Sequence, residues 1–187
     1  MHLDTIRNFE WHNEPELSLI DGSMVIKTAP NTDFRHDRQR NVHLDSGHFF
    51  FSRQHGNFGL SAKWQFCHQL PQGAQYGLMA RADENNWCKI FVVRNGDDSF
   101  SIATSVTNCR FTDTAIYPLS CPKEEIVFRL EAAGPNLCFA YSTDGNKFSR
   151  IRIFQMLADS DELKVGAYIC CSQNVSFTAT LSDIEIY

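Results

Sequence analysis

The strongest constraint on this chain is a period of two. In FGLSAKWQF, Phe58, Leu60, Ala62, Trp64 and Phe66 fall on one side of an extended backbone and Ser61, Lys63 and Gln65 on the other, the pattern of a strand with one face in a core and one in water. IVFRLEA repeats it with Ile126, Phe128 and Leu130 opposite Arg129 and Glu131, and LCFAYS puts Leu137, Phe139 and Tyr141 together. A strand patterned in this way must find a second apolar layer, because a single open sheet leaves one apolar face wet. The pattern predicts an all-β fold, a two-sheet antiparallel β-sandwich of jelly-roll type.

Turn chemistry divides the alternating runs. Ala133-Gly134-Pro135-Asn136 and Thr143-Asp144-Gly145-Asn146 predict two successive hairpins, Asn95-Gly96 a third between KIFVVR and SFSIATSV, and Asp45-Ser46-Gly47 separates two short strands. LKVGAYICC and VSFTATLSDIEIY read as two long final strands, the second alternating through Phe177, Ala179 and Leu181; one helical turn is expected in FQMLADSDEL. Turns recur about every ten residues, the spacing of a sandwich. Fifteen Phe, five Tyr and three Trp favour pleated surfaces, and a length of 187 residues fits one domain over residues 1–187.

Charge and cysteine usage remove several classes. The formal net charge is −5, with 17 basic and 22 acidic residues spread along the chain, so no basic stripe points to nucleic acid. The N-terminal MHLDTIRNFEWHNEP has no apolar signal-peptide region, and no segment approaches the roughly 20 apolar residues of a membrane span; a cytoplasmic, membrane-free protein is expected. Seven cysteines without a CxxC pair argue for reduced, buried thiols over a disulfide framework or zinc ribbon. Adjacent Cys170 and Cys171 must point to opposite faces of a strand. Asn174-Val175-Ser176 matches a glycosylation acceptor, which matters only in a secreted chain.

A series of segments, taken in order, resembles the regulation-of-enolase family of concanavalin-A-like sandwich proteins. Phe9 to Pro15 resembles that family's opening, Thr28-Ala29-Pro30 with Thr32-Asp33-Phe34 its T-x-P-x-T-D-F box, and Gly47-His48-Phe49 its G-H-F. The most specific block is Tyr76 to Asp83 with Trp87 and Lys89, similar to G-L-M-x-R-x-D followed by W-x-K; Val106-Thr107-Asn108, Tyr141 to Gly145, and Val165 to Tyr168 with Cys170-Cys171-Ser172 complete the series. The chain departs from the family at Arg35-His36-Asp37, where an aromatic is usual, at Val92 and Val93, where a Glu is usual, and at Phe111-Thr112-Asp113-Thr114, where a Trp is missing. The resemblance implies a concanavalin-A-like sandwich and a cytoplasmic binding or regulatory protein.

No constellation compels a reaction. A sandwich glycosidase needs two convergent carboxylates; Asp183 and Glu185 stand two residues apart, but on a C-terminal strand they read more simply as a solvated edge. Six of the seven His residues lie between positions 12 and 68, yet His43 and His48 across a turn supply only two of the four ligands zinc wants. G-x-S-x-G, Walker and G-x-G-x-x-G motifs do not occur. Catalytic residues, metal and cofactor are therefore expected to be absent. What remains is a ligand site from Arg81, Asp83, Trp87 and Lys89 around the turn Glu84-Asn85-Asn86, with Asp33, Phe34 and His48 from other strands. Aromatic faces beside charged groups suit a saccharide or small polar ligand; the competing reading makes Trp87 core and pairs Arg81 with Asp83 or another acid. The expected function is non-catalytic binding, of carbohydrate or sugar phosphate. The alternatives are a protein-protein regulator of a metabolic enzyme such as enolase, which needs a protein partner, and a glycan hydrolase.

Overall fold

The computed structural model describes residues 6–120, 124–158 and 160–187; Cys121 and Asp159, both within the readings above, lie outside them, as does the start of the N-terminal segment. Among the described residues the first eight strands are β1 (Glu10–His12), β2 (Glu16–Ile20), β3 (Ser23–Lys27), β4 (Phe34–Asp37), β5 (Val42–Asp45), β6 (His48–His55), β7 (Phe58–Gln65) and β8 (Ala74–Arg81). The chain continues through β9 (Trp87–Arg94), β10 (Phe100–Asn108), β11 (Phe111–Leu119), β12 (Glu125–Ala133), β13 (Asn136–Ser142), β14 (Ser149–Phe154), β15 (Glu162–Cys171) and β16 (Thr178–Ile186). One seven-stranded sheet runs β1-β6-β15-β8-β9-β10-β11 and a second runs β14-β13-β12-β7-β16-β3-β2, while β4 and β5 form a separate hairpin. The antiparallel two-sheet sandwich expected from the alternation is the fold.

The period-two residues do what their spacing dictates. Phe58, Leu60, Ala62, Trp64 and Phe66 meet Ile126, Phe128, Leu130, Leu137 and Phe139 in the core between the sheets, against Tyr76, Leu78, Ile90 and Val92 from the first sheet. Gly134 and Gly145 take positive φ values of 56° and 74° in the two hairpins of the second sheet, the left-handed region that glycine enters without a Cβ clash.

Two local readings need correction. FQMLADSDEL forms no helical turn among its described residues: Phe154 closes β14 against Leu137, and Glu162 opens β15 against His55. One amide holds the extended chain between them at two points, since Asn108 donates to the Gln155 carbonyl (3.3 Å) and accepts from the Leu157 N–H (2.8 Å). Nor is β16 an edge. It lies between β7 and β3, and a register shift between Leu181 and Asp183 resets the alternation so that Ile184 turns into the core. The extra residue of a bulge has this effect, and it carries Asp183 and Glu185 to the outer face.

On the outer face of the first sheet, neighbouring strands align side chains in rows: Phe49, Tyr168, Gly77, Phe91 and Ala103 in one, Met79, Lys89, Ser105 and Thr114 in the next, Arg81, Trp87, Thr107 and Thr112 in a third. The β4–β5 hairpin covers one end of this face. Phe34, the first residue of β4, sits edge-on to Tyr168 at 6.1 Å. Its ring occupies the space into which a Cβ at Gly47 would project, so the glycine after β5 is what allows the hairpin to close down. Cys170 faces this outer cluster and Cys171 the inner core, as adjacent strand residues must.

Candidate functional site

Lys89 is the centre of the outer face. It is a lysine with 3% of its surface exposed, which is costly unless its ammonium finds partners. It donates to the Phe34 carbonyl at 3.0 Å and to Gln75 Oε1 at 2.9 Å. The Asp33 carboxylate is 3.9 Å away, and Trp87, Phe91 and Tyr168 present their rings at 5.2, 4.9 and 5.4 Å, an arrangement that stabilises a desolvated cation. Asp33, also buried, accepts from the Phe34 N–H at 2.8 Å and lies 3.8 Å from the Cys170 thiol. Tyr168 donates to Gln75 at 3.2 Å. Burial pushes the Tyr168 hydroxyl and the Cys170 thiol upward, the nearby Asp33 charge adding to both while Lys89 partly offsets it at Cys170. Neither group is poised as a base or nucleophile.

Asp33, Phe34, Trp87 and Lys89 thus converge; the other three candidates from the sequence do not join them. Arg81 does not pair with Asp83. It reaches into the hairpin and grips Asp45 at 2.5 and 2.8 Å, with His12 3.6 Å from the same carboxylate. Burial would raise the Asp45 carboxyl, but hydrogen bonds and charge from His12 and Arg81 outweigh it and hold it well below the usual range. Asp83 instead closes its own turn, accepting from the Asn85 N–H (2.7 Å) and the Asn86 amide (2.9 Å). His48 is 4% exposed and locked: Nδ1–H donates to the Asn13 carbonyl (2.6 Å), and Nε2 accepts from the Ala29 N–H (3.0 Å). Burial lowers its pKa, the Asn13 bond opposing, and protonation would remove the acceptor that Ala29 needs.

Several groove residues escaped the sequence reading. His36 donates Nε2–H to the Glu84 carbonyl at 2.7 Å and stacks between His43 (4.4 Å) and Trp87 (6.1 Å), so the histidine run builds a wall. Phe91 could have been found, since it continues the face of Trp87 and Lys89 by period two. Among the described residues no group of three or more His, Cys, Asp and Glu could hold a metal ion.

Above Lys89 the face opens into a groove of about 640 Å³, within the roughly 300–1,000 Å³ of small-molecule sites. Its far side carries the hydroxyls of Ser105, Thr112 and Thr114; Ser105 bonds Thr114 (3.0 Å), and Thr112 bonds the fully buried Thr107 behind it (2.8 Å). Phe111, 62% exposed, stands at the rim with the Arg38 guanidinium 4.4 Å above its ring. Asp33 and Asp37 are the acids lining it, and Asp37 faces Arg35 and Arg40 at 3.6 and 3.5 Å.

These features define a β-sandwich protein with an aromatic-floored polar groove on the outer face of one sheet. The chain belongs to the family described as "Protein of unknown function (DUF1349)", whose model matches residues 11–187. That description names no activity, and the enolase-regulating function implied by the sequence resemblance finds no support in it. No curated protein matches the chain. Among solved structures, a functionally unknown protein from Saccharomyces cerevisiae is similar at a TM-score of 0.87 and 20% identity, each chain covered to 97%. A xylan β-1,4-xylosidase from Bacillus halodurans is similar at 0.69 and 11% identity, with 95% of this chain matching 38% of that one. An alginate lyase from Klebsiella pneumoniae is similar at 0.59 and 12% identity, with 92% and 84% covered. At these identities the likeness is one of fold. No helix among the described residues is long and apolar enough to cross a membrane.

Proposed function

We propose that the whole chain acts as one non-catalytic binding module whose groove takes a saccharide. The observation that carries this reading is the pairing of an exposed aromatic ring, Phe111, with the hydroxyl row beside it. Ser105, Thr112 and Thr114 line the groove, and each hydroxyl that accepts from its partner keeps its own O–H for a ligand. An apolar sugar face stacks on an aromatic ring while its hydroxyls exchange such bonds. Trp87, Lys89, Asp33 and Phe34 form the rigid floor, and Arg81, through Asp45, fixes the hairpin that walls it. The sandwich neighbours among xylan- and alginate-acting proteins favour the same ligand class. Against glycan hydrolysis stands the state of the carboxylates lining the groove: Asp33 is buried beside Lys89 and Asp37 faces arginines, whereas a glycosidase places two carboxyl groups on the substrate, one of them able to hold a proton. Six free cysteines among the described residues favour a reducing, cytoplasmic setting.

A protein partner is the second reading. Ile116 on β11 and Ile153 on β14, 63% and 61% exposed, lie on the edge strands of the two sheets, which Tyr117 ties together through the Ile151 carbonyl (3.0 Å).

A thermal-shift screen against xylotetraose, cellotetraose and tetragalacturonate tests the saccharide reading, because a ligand of the native state raises the midpoint. At least one is expected to raise it, and Phe111→Ala, a rim substitution, to abolish the rise without lowering the unliganded midpoint. A screen with no rise overturns the reading.

A further inference from the structure

The groove's charge runs against that of the chain. Arg35, Arg38, Lys89 and Arg110 line it against Asp33 and Asp37, in a protein of formal net charge −5. The acids are already matched, Asp33 by Lys89 and Asp37 by Arg35 and Arg40. Arg38 and Arg110 have no carboxylate within ion-pair distance among the described residues. The Arg38 guanidinium stands 4.4 Å over Phe111, and of the Arg110 guanidinium only Nε–H is engaged, donating to the Asn85 side chain at 2.6 Å. Both arginines also line a second hollow of about 420 Å³, walled by His43 and Cys109. They therefore stand where two adjoining hollows meet, with sugar-sized space on either side.

From this placement we infer that the groove takes an acidic oligosaccharide, with a uronate carboxylate received at Arg38 and Arg110 and the flanking sugars in the two hollows. The inference rests on the saccharide reading above and narrows it. A planar guanidinium fork matches a carboxylate bidentately. A sugar phosphate shares the anion chemistry but would fill only one hollow.

Titration calorimetry of the full chain with tetragalacturonate, xylotetraose and glucose 6-phosphate tests it. Tetragalacturonate is expected to bind most tightly and to weaken as salt rises. The Arg38→Ala/Arg110→Ala variant is expected to lose about tenfold or more of that affinity while keeping its thermal midpoint. Xylotetraose binding as tightly as tetragalacturonate, or an undiminished variant, overturns the acidic assignment and leaves the saccharide reading standing. Glucose 6-phosphate binding without tetragalacturonate overturns the oligomer assignment. Silence from all three, with cellotetraose silent as well, overturns both readings.

Discussion

The outer faces of the two sheets are built on the same strand geometry and differ in what they do with charge. On the second sheet, Lys63 and Glu125 face each other at 3.6 Å with side chains 42% and 46% exposed, and Arg129 lies 3.5 Å above Phe148 beside Asp183 and Glu185. On the first, Lys89 is sunk among rings, its donors spent on a backbone carbonyl and an amide, with a hairpin closed over one end. Water solvates the Lys63–Glu125 pair of the second face; around Lys89 the first has replaced water with fixed partners. A face desolvated in this way is a preorganised floor, and rigidity of that kind is what lowers the entropy a ligand must lose.

Removing the lysine of each face should separate the two faces most clearly. Lys89→Met leaves the buried Asp33 carboxylate without its cation, and urea unfolding should show a loss of about 3 kcal/mol or more. Adding Asp33→Asn should recover part of it, because the uncompensated charge is then gone. Arg81→Met, which frees Asp45, should cost roughly 2 kcal/mol. It should also flatten the acid limb of a stability-pH profile: the folded Asp45 pKa lies below its unfolded value, so its contribution is present above the unfolded value and fades as pH falls. His48 acts with the same sign at milder pH. Its folded pKa is lowered from 6.5, so the thermal midpoint should fall between about pH 7 and about pH 5, where histidine charges, and His48→Gln should shrink that fall. Smallest of all, Lys63→Met should change stability by under about 1 kcal/mol. A large effect there, or a negligible one at Lys89, would erase the distinction between the faces.

Much of the fold was legible because alternation reports which residues face a core. It placed Phe58 through Phe66, Ile126 through Leu130 and both second-sheet hairpins, and it separated Cys170 from Cys171. Alternation reports a face and not a strand's place in its sheet, so Asp183 and Glu185 were rightly read as outward but wrongly on an edge: β16 lies between β7 and β3. Nor does it name partners distant in sequence: Asp45 lies 36 residues from Arg81, and a nearer acid, Asp83, had equal local warrant. Period two put Trp87 and Lys89 on one face, but that Asp33 and Phe34 close over them depends on the β4–β5 hairpin. The helical turn failed for a similar reason, since the amide that holds the extended chain comes from Asn108.

On the proposed reading the first sheet's outer face, and not the second's, receives the ligand. Amide chemical-shift mapping of the isotopically labelled chain, titrated with tetragalacturonate and with xylotetraose, tests it most directly. Perturbations are expected at Phe91, Ser105, Thr112 and Thr114, with Lys63, Arg129 and Asp183 unmoved. Shifts centred on Lys63, Arg129 and Asp183, or none at either face, would contradict it.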